Sequence, residues 1–402
     1  MLNVVVINGG RGAAALIPAF LDREGINLTS IVNAYDDGKS TGEIRRMFNM
    51  LGPSDIRKVQ KLMLPRRDAA FAAYERLYDY RFPVDAKRST LLADLRNFAG
   101  GGDHVAAIEI ASHPVRRQLQ RFAGEFLDAV QLLEDVYGEQ FQFGDCSILN
   151  CLFAGAHLAH HRDFEAATLA MERLFQLRGT VLPNSTECRT LTALRRNGEV
   201  LYCEADIVEL RSNVLIEQIY LVEQPIRRGT LDDLALDRKR HFLSRQHATA
   251  RLSDGSKRAI AQADVVIYAP GTQHSSLYPT YLSLGFGDAV VSNRSALKVF
   301  VCNIGADYET PSYTASDFLE GAHRYICRGD GRAHPLDQLV DIVLVNTSRI
   351  KPEETYVEAD TAAFARFPVD VITGVFEDQA SPGRHNGALL ASMILERYDS
   401  RL

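Results

Sequence analysis

Apolar residues in this chain gather in short runs that stop at glycine or asparagine, and the first run sets the pattern for the others. From Leu2 to Ile17 the sequence reads L-N-V-V-V-I-N-G-G-R-G-A-A-A-L-I, a β-branched stretch, a glycine cluster and an alanine-rich segment. That order predicts a strand, a tight turn and a helix. T-S-I-V-N-A-Y (29–35), A-D-V-V-I-Y (263–268), K-V-F-V-C-N-I (298–304) and L-V-D-I-V-L-V-N-T (339–347) predict further strands. Between them the periodicity changes. From Lys61 to Gln140 strand signals almost vanish, and Val115, Leu119, Phe122, Phe126, Val130 and Leu133 recur at helical steps. T-L-T-A-L-R-R, the Asn197-Gly198 turn and E-V-L-Y-C-E predict a hairpin, because Asn-Gly supplies the positive φ angles of a two-residue turn. V-L-I-E-Q-I-Y-L-V follows as another strand, so an antiparallel extension joins the sheet.

These elements predict an α/β fold: a doubly wound, Rossmann-like parallel sheet with a helical insertion and a β-rich extension. The expected division is a nucleotide-binding core over 1–60 and 141–402, a helical insertion over 61–140, and a solvated polar insertion over 224–257. The helical insertion reads equally as a packing appendage or as a lid. A chain of 402 residues, 46% hydrophobic, is long enough to bury one extended core and a smaller satellite. Its net charge of −6 supplies no broad basic surface, which argues against nucleic acid as a partner. Six scattered cysteines without a C-x-x-C pair predict reduced thiols and a cytoplasmic location. No apolar run is long enough to predict a signal peptide or a membrane span.

Candidate chemistry follows the strand ends. Gly10, Gly12 and Ala15 fit G-x-G-x-x-A, in which glycines let backbone N–H groups close on a diphosphate. Asp36 lies 24 residues past Gly12, the position from which an acidic residue reaches a ribose hydroxyl or a cation. Asp36 and Asp37 together are a pair able to hold Mg²⁺ beside a phosphate, or to accept a proton from a hydroxyl. Pro270 and Gly271, with hydroxyls at Thr272, Ser275 and Ser276 after them, form a second glycine turn rich in donors. Cys146 reads as a small buried apolar residue, and His157, His160 and His161 as capping or solvated histidines rather than metal ligands.

Several motifs in order carry a resemblance. G-G-x-G at Gly9 to Gly12, D-D-G-x-S-x-G-x-x-R at Asp36 to Arg45, P-x-D-I-R ending at Arg57, R-G-T-V-L-P (178–183), A-P-G-T (269–272) and V-C-N-I (301–304) resemble the CofD/YvcK family. That family joins phospholactate transferases to nucleotide-sugar-binding proteins called gluconeogenesis factors. F-G-D-C-S-I-L-N (143–150) is similar to the family's G-D-H-S-x-G-N, with Cys146 in place of His and Leu149 in place of Gly. His274 stands where the family's loop has Tyr, and R-H-N at 384–386 resembles R-H-D.

The resemblance implies a crevice holding a nucleoside-diphosphate conjugate or a nucleotide sugar. Gly9, Gly10, Arg11, Gly12, Asn33, Ser40, Asn150, Gly271, Thr272, His274, Ser275, Asn303 and Arg384 are its expected binding residues, with Ser147 a further candidate. Asp36, Asp37 and Arg57 are the expected catalytic residues, with Mg²⁺ on the two aspartates. As in the phospholactate branch, an acceptor alcohol would attack phosphorus and release a nucleoside monophosphate. The other branch implies a regulator that binds without turnover. A nicotinamide dehydrogenase fits D-D-G-K-S-T-G poorly. The pattern is compatible with a homodimer.

Overall fold

The computed structural model describes residues 1–351 and 353–401. Its strands in chain order are β1 (Leu2–Asn8), β2 (Ile26–Val32), the short pair β3 (His104–Val105) and β4 (Ile108–Glu109), β5 (Thr180–Pro183), β6 (Thr190–Arg195), β7 (Val200–Leu201), β8 (Ile216–Val222), β9 (Val265–Tyr268), β10 (Leu297–Val301), β11 (Ile342–Asn346) and β12 (Asp370–Gly374). Seven of them form one parallel sheet in the order β12-β11-β10-β9-β1-β2-β5. Helices cover both faces, which is why Val4 to Ile7 and Val265 to Tyr268 are apolar without alternation and fully buried. The predicted α/β class is the one observed.

The strand order decides where a ligand can sit. From β1 the chain winds outward through β2 and β5, then returns to β9 on the other side of β1. Neighbouring strands whose connections depart in opposite directions leave a crevice beyond their carboxyl ends. Here that point lies between β1 and β9, paired in register from Val4↔Val265 to Ile7↔Tyr268.

Three features differ from expectation. The helix after the first glycine turn spans only Leu16–Leu21, because the turn itself continues through Ala15. β12 is a parallel edge strand beyond β11; its residues are at most half-buried, so it lacks the apolar run that marks the inner strands. The polar stretch 224–257 is not simply solvated. Its helix Leu236–Gln246 packs Leu243 with Leu194, Val200, Tyr202, Tyr220 and Leu231 in a small core of its own over the antiparallel sheet β7-β6-β8. The buried Lys239 ammonium there donates to the carbonyls of Gly198 at 2.8 Å and Asp232 at 3.0 Å.

The helical insertion contains helices Phe71–Asp79, Arg88–Ala99 and His113–Tyr137, and its apolar stripe is buried as expected. The long third helix lies against the core helix Ile148–Ala159 so closely that a Cβ on Gly155 would fall 1.8 Å from the Phe122 carbonyl oxygen. No side chain fits there. Gly155→Ala should therefore cost ~1–3 kcal/mol of stability, read as a lowered denaturation midpoint. An unchanged midpoint would mean that the two helices can part without loss.

Candidate active site

At the carboxyl ends of β1 and β9 two turns meet. A Cβ on Gly12 would lie 1.9 Å from the Pro270 carbonyl oxygen and 3.0 Å from the Gly271 Cα. One on Gly9 would lie 2.5 Å from the Ser276 Cβ, and one on Gly10 would lie 2.3 Å from Asp55 Oδ1. Gly12 is thus required by backbone and Gly9 by the Ser276 Cβ, whatever they do for a ligand, whereas at Gly10 the Asp55 and Lys58 side chains would have to move. The second turn is held in place by Asn303, which accepts from the Gly271 N–H and donates to the Gly271 carbonyl, both at 2.9 Å.

Beside these turns opens a cavity of ≈ 770 Å³. Gly9, Gly10, Arg11, Gly12, Asp36, Gly271, Thr272, Ser275, Asn303 and Arg384 of the expected set line it. Asp55, Lys58, Glu204, Asp307 and Ser276, outside that set, line it too. Asp55 and Lys58 sit one turn apart on the helix Ser54–Leu62 and form an ion pair at 2.7 Å. Glu204 arrives from the antiparallel extension, at the start of the short helix Glu204–Glu209. None of the lining residues comes from 61–140.

Burial, then the charge of Asp55, raises the Asp36 carboxyl to about 6. Among the described residues its Oδ2 is buried without a hydrogen-bond partner. Burial and the charge of Asp36 push Glu204 upward as well. Burial works against the Lys58 ammonium, but Asp55 and Asp36 together outweigh it and hold it charged.

Asp37 does not face the cavity with Asp36. Its Oδ1 accepts from the Ala205 N–H at 2.9 Å and its own N–H donates to Glu204 Oε2 at 3.2 Å, so it caps the helix that carries Glu204. The expected Asp36–Asp37 metal pair is therefore not assembled, because adjacent residues in an extended segment point apart. Among the described residues Asp36 keeps an unpartnered, buried oxygen, and the Asp55 carboxylate, bonded to Lys58 through Oδ1, lies nearby; a divalent cation would take oxygens of this kind.

Arg57, Ser40 and Asn150 also lie away from the cavity. Arg57 donates through Nε to Asn150 Oδ1 at 3.1 Å and through a terminal nitrogen to the Tyr78 carbonyl. Asn150 Nδ2 donates to Ser40 Oγ at 3.2 Å and to Ser54 Oγ at 2.9 Å, and Ser54 is hydrogen-bonded to Thr41. Ser147 donates its N–H to Ser40 Oγ at 3.3 Å. Residues from three of the recognisable motifs thus converge on a buried polar clasp between helices rather than on ligand. In this position the guanidinium pKa is lowered, through burial and then Arg81. Asn33 likewise ties β2 to the second turn, donating to the Ser275 carbonyl at 2.8 Å. Cys146 is buried with Cys151, their sulfurs 3.5 Å apart.

His274 sits behind the second turn, fully buried among Tyr278, Tyr313 and Tyr325, and burial followed by Arg324 lowers it to about 3. It is a neutral core ring. The N–H groups of His274 and Ser275 both donate to Glu309 Oε2 at 2.9 Å, and Ser275 Oγ donates to Oε1 at 2.5 Å. A carboxyl group from the protein thereby fills the amide cluster expected to hold phosphate.

Known proteins resemble this chain over most of its length. A family model described as 2-phospho-L-lactate transferase CofD matches residues 4–376. The chain belongs to the CofD family. This CofD-family chain is 24% identical over 358 residues to a Thermotoga maritima protein named, provisionally, as a gluconeogenesis factor, covering 89% of this chain and 82% of that one. It is 22% identical over 361 residues to a Listeria monocytogenes protein named gluconeogenesis factor, covering 90% and 82%. Two crystal structures of a Bacillus halodurans protein superpose with TM-scores of 0.66 and 0.65 at 22% and 21% identity, each covering 98% of this chain and 99% of theirs. One is described as a member of the UPF0052 family, and the likeness establishes the fold that this CofD-family chain shares with it.

Glu309 gives the site a pH signature. Burial and then Asp307 raise its carboxyl from 4.5 to about 8, so between those values it stays protonated in the fold while the unfolded chain is ionised. The stability it contributes is complete below 4.5 and lost as pH rises through about 8. Melting temperatures should fall over that window in the wild type and fall less in Glu309→Gln; parallel curves would remove Glu309 as the cause.

Proposed function

We propose that this chain is a transferase acting on a nucleoside-diphosphate conjugate, moving its phosphoryl-linked group to an acceptor hydroxyl. The supporting observation is the ≈ 770 Å³ cavity at the switch point, where both glycine turns meet beside Asp36. A nucleotide tail placed against Gly9 to Gly12 would have Asp36 at its flank and the exposed Arg11 and Arg384 at the rim. Asp36, raised to about 6, is suited to accept a proton from an acceptor hydroxyl near neutral pH. If Asp36 instead holds Mg²⁺ with Asp55, it is not the base, and the cation would neutralise phosphate oxygens and the departing nucleotide. Asp37 would act only through the helix that positions Glu204.

A second reading, carried by the family resemblance together with the gluconeogenesis-factor names of the relatives, is a regulator that binds a nucleotide sugar and leaves it intact. A thermal-shift panel of UDP-sugars, GDP, UDP, CDP and NAD, with and without Mg²⁺, followed by a turnover assay on each stabilising conjugate, separates the two. Monophosphate release supports the transferase; stabilisation by a conjugate that stays intact supports the regulator. For the transferase, Asp36→Asn should lower turnover at least ~100-fold with the melting temperature retained. Asp37→Ala should instead lower stability by ~1 kcal/mol and keep most turnover. The reverse pattern would return the chemistry to Asp37.

A further inference from the structure

Among the cations that line the cavity, Arg11 and Arg384 are exposed at the rim, whereas Lys58 is set into the wall. Its ammonium is fixed on Asp55 Oδ1 at 2.7 Å, and its side chain is 30% exposed. The first glycine turn lies directly upon it, since a Cβ on Gly10 would meet Lys58 Cδ at 2.8 Å and Asp55 Oδ1 at 2.3 Å. Any phosphate seated on that turn is therefore placed beside an ammonium that is already ordered. Apart from the two rim arginines, the other charged-type side chains of the wall are carboxyls, those of Asp36, Asp55, Glu204, Asp307 and Asp378. A diphosphate entering such a cavity needs a fixed positive charge close to its oxygens. An ammonium has several donors, and the one given to Asp55 leaves others for a ligand.

We propose that Lys58 is the resident counter-ion for a diphosphate held on the Gly9–Gly12 turn, so that the nucleotide binds without a divalent metal. This rests on the nucleotide reading above and divides its work: Lys58 and the turn hold the ligand, while any metal requirement belongs to turnover. Asp55 orients the ammonium toward Gly10 and is the reason that a flexible lysine serves here as a fixed charge.

Equilibrium dialysis with UDP-sugars, GDP, UDP, CDP, NAD and inorganic pyrophosphate tests it, on wild type and Lys58→Gln, in EDTA and in Mg²⁺, with thermal melts confirming that the variant is folded. The expected result is that wild type binds at least one probe in EDTA, and that Lys58→Gln weakens this binding at least ~10-fold, with partial recovery in Mg²⁺. Wild-type binding only in Mg²⁺, or equal affinity in Lys58→Gln, overturns the proposal and leaves the nucleotide reading standing. The wild-type comparison needs no variant, so a misfolded Lys58→Gln would not spare the proposal. Absence of binding by every probe under both conditions overturns the nucleotide reading itself.

Discussion

The close approach of two glycine turns at the switch point governs the rest of this molecule. Gly12 can lie against the Pro270 carbonyl only because it lacks a side chain, and Asn303 holds Gly271 from the other side by two hydrogen bonds. The contact brings the ends of β1 and β9 together and fixes the floor from which the cavity opens. A closing helix, Gly387–Asp399, is drawn in by the same device: a Cβ on Gly387 would lie 2.0 Å from the Ala15 carbonyl oxygen. Such steric demands explain the glycines without reference to any ligand, and they leave a ligand little room to rearrange its surroundings.

Around that floor the polar residues divide into two layers with different tasks. Asp36, Asp55, Lys58 and Glu204 face the cavity, where burial and mutual repulsion keep the Asp36 and Glu204 carboxyls protonated further up the pH scale than usual. Arg57, Asn150, Ser40, Ser54 and Thr41 lie beneath and satisfy one another, binding three helices with hydrogen bonds that solvent does not reach. The lower layer orients the helix Ser54–Leu62, and so places Asp55 and Lys58 without touching ligand itself. Glu309 performs a similar service for the second turn, as a buried acceptor for two of its N–H groups.

The parallel sheet was legible in the sequence because strands covered on both faces must be apolar along their length, and each run ended at a residue suited to a turn. β12 was hidden because a half-buried edge strand has no such requirement. Gly9 to Gly12, Asp36, Gly271 and Asn303 could be placed near the cavity because the fold sends every strand end to the same edge. Side-chain direction could not be read in the same way. Asp36 and Asp37 are neighbours in the chain, yet one faces the cavity and the other caps a helix. Asp55 and Lys58 sit in or beside a noted motif, but the motif drew attention to Arg57, whose helical position turns it inward. Glu204 closes the predicted hairpin strand but in the fold starts a helix, Glu309 comes from a segment without any local signal, and only the long-range packing brings them to the site.

Hydrogen–deuterium exchange measured with and without a stabilising nucleotide tests most directly whether the two turns grip one ligand. Slower exchange in both 9–15 and 270–277 on binding is the predicted result. Protection of one turn alone, or of neither, would contradict the account.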